Sequence, residues 1–106
     1  DIARHGYFSD FNDPGNLFDL WVTNNPNNDA KYSNPEYDRL VTEAGREADP
    51  IKRAALYHQA EEILMADLPI IPIYYYTTPY MLKPYVKNLF ICPLGWEFFR
   101  TATIEK

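Results

Sequence analysis

Asp10 and Asp13 stand three residues apart in Ser-Asp-Phe-Asn-Asp-Pro-Gly, residues 9–15. Two neighbouring carboxylates can divide acid and base work between them. An acidic residue before proline at a helix start is ordinarily a cap, however, and Asp13 precedes Pro14. Nothing beside the pair supplies a nucleophile, an oxyanion hole or a metal cluster. His5 and His58 lie far apart, and neither has ligand spacing such as HxxxH around it. Cys92, the single cysteine, cannot close an internal disulfide and reads as a small buried apolar residue. A carboxylate-dependent hydrolase built on Asp10 and Asp13 is therefore the alternative, and no catalytic residue, cofactor or metal is expected.

Binding chemistry is better supplied. Arg4, Tyr7 and Asp10 surround the end of the first apolar segment and offer a cation, an aromatic ring and an anion. Such a trio could hold a zwitterion, the carboxylate pairing with an ammonium and the guanidinium with a carboxylate. If residues 2–8 are extended, Arg4 and Tyr7 point to opposite faces unless Gly6 bulges. From residue types alone, an ordinary surface ion pair explains Arg4 and Asp10 more simply. The second feature is Tyr74-Tyr75-Tyr76 at the end of Leu-Pro-Ile-Ile-Pro-Ile. In an extended chain Tyr74 and Tyr76 share one face and Tyr75 takes the other. A row of large rings with polar tips suits the wall of a pocket for varied ligands.

The elements that must position these groups follow from caps and periodicity. Residues 1–8 read as a strand. Asp13 as N-cap and Pro14 at the first helical position predict a short helix over about 14–21, with Leu17, Phe18, Leu20 and Trp21 inward. Residues 23–33 form a polar loop in which Asn24, Asn25, Asn27 and Asn28 suit turns. Asn34-Pro35-Glu36 starts a second helix whose stripe is Tyr37, Leu40, Val41, Ala44 and Ala48. Asp49-Pro50 caps a third, with Leu56, Ala60, Ile63 and Leu64 on one face and Arg53, Glu61 and Glu62 mostly outside. Two antiparallel helices joined by a tight turn result. Residues 69–76 read as the strongest strand, apolar on both faces and so covered on both sides; Pro69 and Pro72 deny it a full ladder. Residues 77–80 read as a turn, 80–92 as extended around Pro84, and 98–104 as a last short strand.

The bulk properties exclude several classes. The chain has 106 residues, 46% hydrophobic and 16% aromatic, with a net charge of −5. Nucleic-acid binding needs clustered Lys and Arg, which are scattered here. No apolar run approaches the roughly 18–20 residues of a membrane span. One small core is possible at this length, and the aromatic content is easier to explain if some rings pack on something else. The absence of an initiator methionine and a start inside an apparent strand suggest a piece of a longer chain.

Read in order, the stretches Asp1-Ile2-Ala3-Arg4, Asp10-Phe11-Asn12-Asp13-Pro14, Tyr37-Asp38, Arg53-Ala54-Ala55-Leu56-Tyr57 with Ala60-Glu61, Ile71-Pro72-Ile73-Tyr74-Tyr75-Tyr76 and Leu82-Lys83-Pro84 resemble the C-terminal part of the oligopeptide-binding proteins of bacterial ABC importers. These are family 5 solute-binding proteins, a cluster that also holds dipeptide-, nickel- and haem-binding members. The resemblance implies an α/β fold, the C-terminal part of a two-lobed periplasmic-binding-protein type II fold with a helical hairpin and strands. Residues 1–76 would belong to the second lobe and 77–106 to the return crossing to the first. It implies that Asp10 anchors the peptide's α-amino group, that Arg4 belongs to the charged set meeting its carboxylate, and that Tyr7 lines a side-chain pocket where relatives commonly have tryptophan. Asn27 and Tyr76 match positions that contact bound peptide. Phe8 stands where a cysteine is common, which should tighten that pocket. The implied partners are an oligopeptide, the permease subunits of the importer and the remainder of the same polypeptide. The implied location is the periplasm, or the outer side of the membrane on a lipid anchor in a Gram-positive organism.

Overall fold

A computed structural model describes residues 3–105; Asp1 and Ile2, with which the expected first strand and the first matching stretch begin, lie outside the described residues. The described chain carries three α-helices and two small antiparallel sheets. It divides into two compact units, Ser9–Pro72 in one, and the residues up to Phe8 with those from Ile73 onward in the other.

The helical unit follows its caps. Helix α2 (Pro35–Arg46) begins where the Asn34 side chain accepts from the amides of Glu36 and Tyr37. Helix α3 (Pro50–Asp67) begins where the Asp49 side chain accepts from Ile51 and Lys52. Each cap satisfies two of the four orphan N–H groups of a first turn, and proline occupies the next position at no hydrogen-bond cost. Tyr37, Leu40, Val41 and Ala44 of α2 are buried against Tyr57, Ala60 and Leu64 of α3. The expected antiparallel pair is therefore present. Two positions of its stripes differ. Ala48 is exposed, because α2 ends at Arg46 and the stripe stops with it. Tyr57, not placed on the core stripe by periodicity, is buried, with Phe18 stacked on it at 4.7 Å between centroids.

The short helix is tighter than expected. Helix α1 (Gly15–Phe18) is one turn, continued by a 3₁₀ turn over Asp19–Trp21. Pro14 already has helical dihedrals, so the cap reading of Asp13-Pro14 holds to within one residue. Leu20 and Trp21 are buried as expected, but Leu17 is 46% exposed. Buried Gly15 sets the covered side of this turn, and two residues on the chain has rotated roughly 200°. The asparagine loop closes on Asn28, which is 1% exposed. Its side chain accepts from the Tyr32 amide and donates to the carbonyls of Tyr32 and Val22.

Residues 3–9 and 71–83 have no regular secondary structure, so neither the strand over 1–8 nor that over 69–76 forms among the described residues. A period-two apolar pattern marks a surface to be covered but not what pairs with its backbone, and a strand exists only with a ladder partner. Far from covered, Ile71, Ile73 and Tyr75 are 68%, 85% and 97% exposed. The turn expected over 77–80 is likewise absent. The regular structure of the other unit is a nested ribbon of β1 (Val86–Lys87), β2 (Phe90–Ile91), β3 (Glu97–Phe98) and β4 (Thr103–Ile104). Strands β2 and β3 pair Phe90 with Phe98, and β1 and β4 pair Val86 with Ile104. The single strand expected over 98–104 is thus two, separated by a turn at Arg100 and Thr101. Gly95, at φ 82°, supplies the left-handed residue of the inner hairpin. Cys92, expected buried, is half-buried, its amide and carbonyl engaged in the same hairpin.

Candidate functional site

The sequence-derived ligand residues fall in both units. Arg4, Tyr7 and Tyr76 belong to the ribbon unit, Asp10 and Asn27 to the helical unit.

Around Tyr76 the alternation argument holds. The Arg4 guanidinium lies over the Tyr76 ring, 5.8 Å from its centroid, and the Phe8 ring sits 5.9 Å from the same ring. Tyr74 approaches it at 4.9 Å, while Tyr75 is 97% exposed. Arg4 and Phe8 share the parity that meets Tyr76, and Tyr7 has the opposite one, as an extended chain requires. A Cβ on Gly6 would come within 3.9 Å of the Tyr76 ring, ordinary contact, so Gly6 marks no clash here. The result is a cation held on an aromatic face, an arrangement that keeps a guanidinium oriented without neutralising it. Tyr7 is half-buried.

Asp10 lies in a bend and is exposed. It is not a helix cap. Its backbone N–H donates to Asn16 Oδ1 at 2.9 Å. The capping carboxylate is Asp13, whose Oδ1 accepts from the Gly15 amide at 2.8 Å and from Arg53 Nη2 at 2.7 Å. Arg53, expected mostly outside, is half-buried and also donates from Nε to the Ala44 carbonyl at 3.2 Å and from Nη2 to the Tyr57 hydroxyl at 3.3 Å. Its guanidinium carbon lies 5.1 Å from the Tyr57 ring centroid. The packing is close: a Cβ on Gly15 would meet Tyr57 Oη at 2.8 Å and Asp13 Oδ1 at 2.9 Å. Sequence reasoning missed this cluster. Its signal was there, in Asp13-Pro14-Gly15 and in an arginine one helical turn before a tyrosine, but the separation of 40 positions between Asp13 and Arg53 hid the pairing.

The Arg53 side chain holds the Asp13 carboxyl below its ordinary range, helped by the Gly15 amide. A general acid at neutral pH needs the opposite shift. Asp13 is therefore an anion unsuited to the acid role in a carboxylate pair, and its partners are those of a structural residue. Asp19 is shifted upward by burial and by Asp13.

Asn27 is exposed at the tip of the asparagine loop, its amide donating to Asn25 Oδ1 at 2.9 Å. Buried Asn28 holds the loop beneath it. The loop's far end is tied to α3, where Tyr32 Oη and Asn34 Nδ2 both donate to Asp67 Oδ2, at 2.7 and 2.9 Å. These two bonds hold the Asp67 carboxyl below its usual range. Burial, and then Asp67, push the Tyr32 hydroxyl up.

Among the described residues no group of three or more His, Cys, Asp or Glu could hold a metal ion. No helix there is long and apolar enough to cross a membrane.

No protein-family model matches the chain. Individual proteins do. The chain is 44% identical over 88 residues to the periplasmic oligopeptide-binding protein of Haemophilus influenzae, a match covering 83% of this chain and 16% of that protein. It is 37% identical over 102 residues to the oligopeptide-binding protein of Bacillus subtilis, covering 95% of this chain and 19% of the relative. It is also 35% identical over 95 residues to the dipeptide-binding protein of Bacillus subtilis, covering 90% and 18% respectively. The chain thus spans less than a fifth of the length of these relatives, all of which are named binding proteins rather than enzymes. Over most of its length the chain is homologous to a segment of the oligopeptide-binding proteins of solute-binding family 5.

Proposed function

We propose that the chain is the C-terminal part of a receptor that binds oligopeptides outside the cytoplasmic membrane and delivers them to the permease of an ABC importer. The carrying observation is the homology over most of the chain to proteins named for oligopeptide binding. In this reading the receptor is a two-lobed type II binding protein. Residues 1–76 complete the second lobe and 77–106 return to the first. The remainder of the polypeptide covers the apolar segment from Ile71 to Leu82, whose exposure is otherwise costly.

The roles follow from what all peptides share. Asp10 pairs with the α-ammonium, through a charge-assisted bond stronger than a neutral one. Arg4, oriented on Tyr76, meets a ligand carboxylate. Tyr7 lines a side-chain pocket, and Asn27 and Tyr76 contact the peptide. Backbone pairing to the ligand as an added strand gives affinity without reading sequence. Bridging waters in roomy pockets let side chains vary. Closure of the lobes buries the peptide by a hinge motion. The receptor resides in the periplasm, or on a lipid anchor in a Gram-positive cell.

Mass spectrometry of the full-length receptor purified from cells tests the assignment. Copurifying peptides of three or more residues support it. A dipeptide, nickel chelate or haem as the sole bound species would replace the cargo.

A further inference from the structure

A carboxylate that selects an ammonium by position must itself be held still, and the turn carrying Asp10 is irregular. Residues 9–13 contain no regular secondary structure, and α1 is only four residues long. A single helical turn does not stabilise itself in water. Beyond its local bonds, the turn is tied to α3 through one side chain. Arg53 Nη2 donates to Asp13 Oδ1 at 2.7 Å, and that oxygen also takes the Gly15 amide. The neighbouring Asn16 takes the Asp10 amide. Arg53 is fixed in turn by the Ala44 carbonyl at the end of α2 and by the Tyr57 hydroxyl and ring. A continuous path of hydrogen bonds and one short covalent run thus joins the rigid helical pair to the backbone of Asp10.

We propose that Arg53 is a positioning residue for peptide binding: without touching ligand, it fixes the Asp10 turn on the helical pair, so that the carboxylate is presented to the peptide's α-ammonium in one place. The inference rests on the assignment of Asp10 as ammonium anchor. It needs the planar fork of arginine. One guanidinium reaches Asp13, Ala44 and Tyr57 at once, while a lysine brings a single point charge that cannot span all three.

The test is calorimetric titration of the full-length receptor with trialanine and N-acetyl-trialanine, in wild type, R53K, R53A, D10A and the doubles with D10A. Arg53 variants should weaken trialanine about tenfold and the acetylated peptide less than about twofold, and the tenfold loss should vanish on the D10A background, as coupled sites require. Melting temperatures are read in parallel. If R53A is unfolded, R53K carries the comparison, and D13N provides the same cut from the other side. Equal losses for both peptides, or the same loss on the D10A background, would overturn the inference and leave Arg53 a purely structural residue. Should D10A itself fail to discriminate the two peptides, the anchor assignment falls and this inference with it. If D10A discriminates and the Arg53 and Asp13 variants do not, only this inference falls.

Discussion

The helical unit and the ribbon unit obey opposite rules. Every buried apolar residue among those described, from Leu20 to Leu64, lies in the helical unit. In the ribbon unit no described residue is buried, although it carries Tyr74, Tyr75, Tyr76, Phe90, Trp96 and Phe98. Local hydrogen bonds and a short-range apolar stripe make a helix pair that closes its own core. Strands take their partners and their cover from elsewhere in a fold. One sequence therefore contains a part that carries the buried core and a part whose aromatic surface is exposed.

The sharpest way to break this contrast is to damage the core. Leu40→Ala, at a position 1% exposed, should cost the helical unit about 2–5 kcal/mol. Denaturant unfolding followed by far-UV circular dichroism measures it. An exposed apolar residue of equal size in the ribbon unit, Ile73→Ala, should move the same transition within about 0.5 kcal/mol. Comparable losses would erase the distinction.

Next in size is the loop that carries Asn27. Asn28→Ala should cost about 1–3 kcal/mol, because the Tyr32 amide and carbonyl and the Val22 carbonyl lose a buried partner together. Asn27→Ala, at an exposed tip, should leave the unfolding midpoint unchanged while weakening peptide binding to the full-length receptor.

Acid separates the units by electrostatics. The folded-state pKa values of Asp13 and Asp67 lie below their ordinary 3.8. Each therefore contributes stability that is present above about pH 4 and is lost as pH falls through the depressed value. Both residues are in the helical unit. Its stability should decline below about pH 4, and Asp13→Asn should flatten that decline. An unchanged acid slope in the variant would remove Asp13 from the account.

The smallest effect is at the end of α3, where Leu68 adopts the left-handed region at φ 48°. Leu68→Gly should stabilise by up to about 1 kcal/mol, since only glycine takes that conformation without steric cost.

The same contrast explains what the sequence revealed. Asn34-Pro35 and Asp49-Pro50 announced both long helices, and Tyr37, Leu40, Val41 and Ala44 announced the face between them, because caps and stripes are written within a few residues. The run from Ile71 to Tyr76 has just as clear a pattern and forms no strand, since ladder pairing is a long-range fact. For the candidate site, residue types and family resemblance picked out Asp10, Arg4, Tyr7, Asn27 and Tyr76. Parity alone foretold that Tyr74 would join Tyr76. The fixing of the Asp10 turn through Asp13 and Arg53 was illegible, because neither residue's neighbours in the chain name the other.

The most direct test of the central claim is the affinity of the full-length receptor for a free and an N-acetylated peptide, before and after Asp10→Ala. The account predicts a loss of at least about thirtyfold for the free peptide and almost none for the acetylated one, whose ammonium is already gone. Equal losses for the two would contradict it.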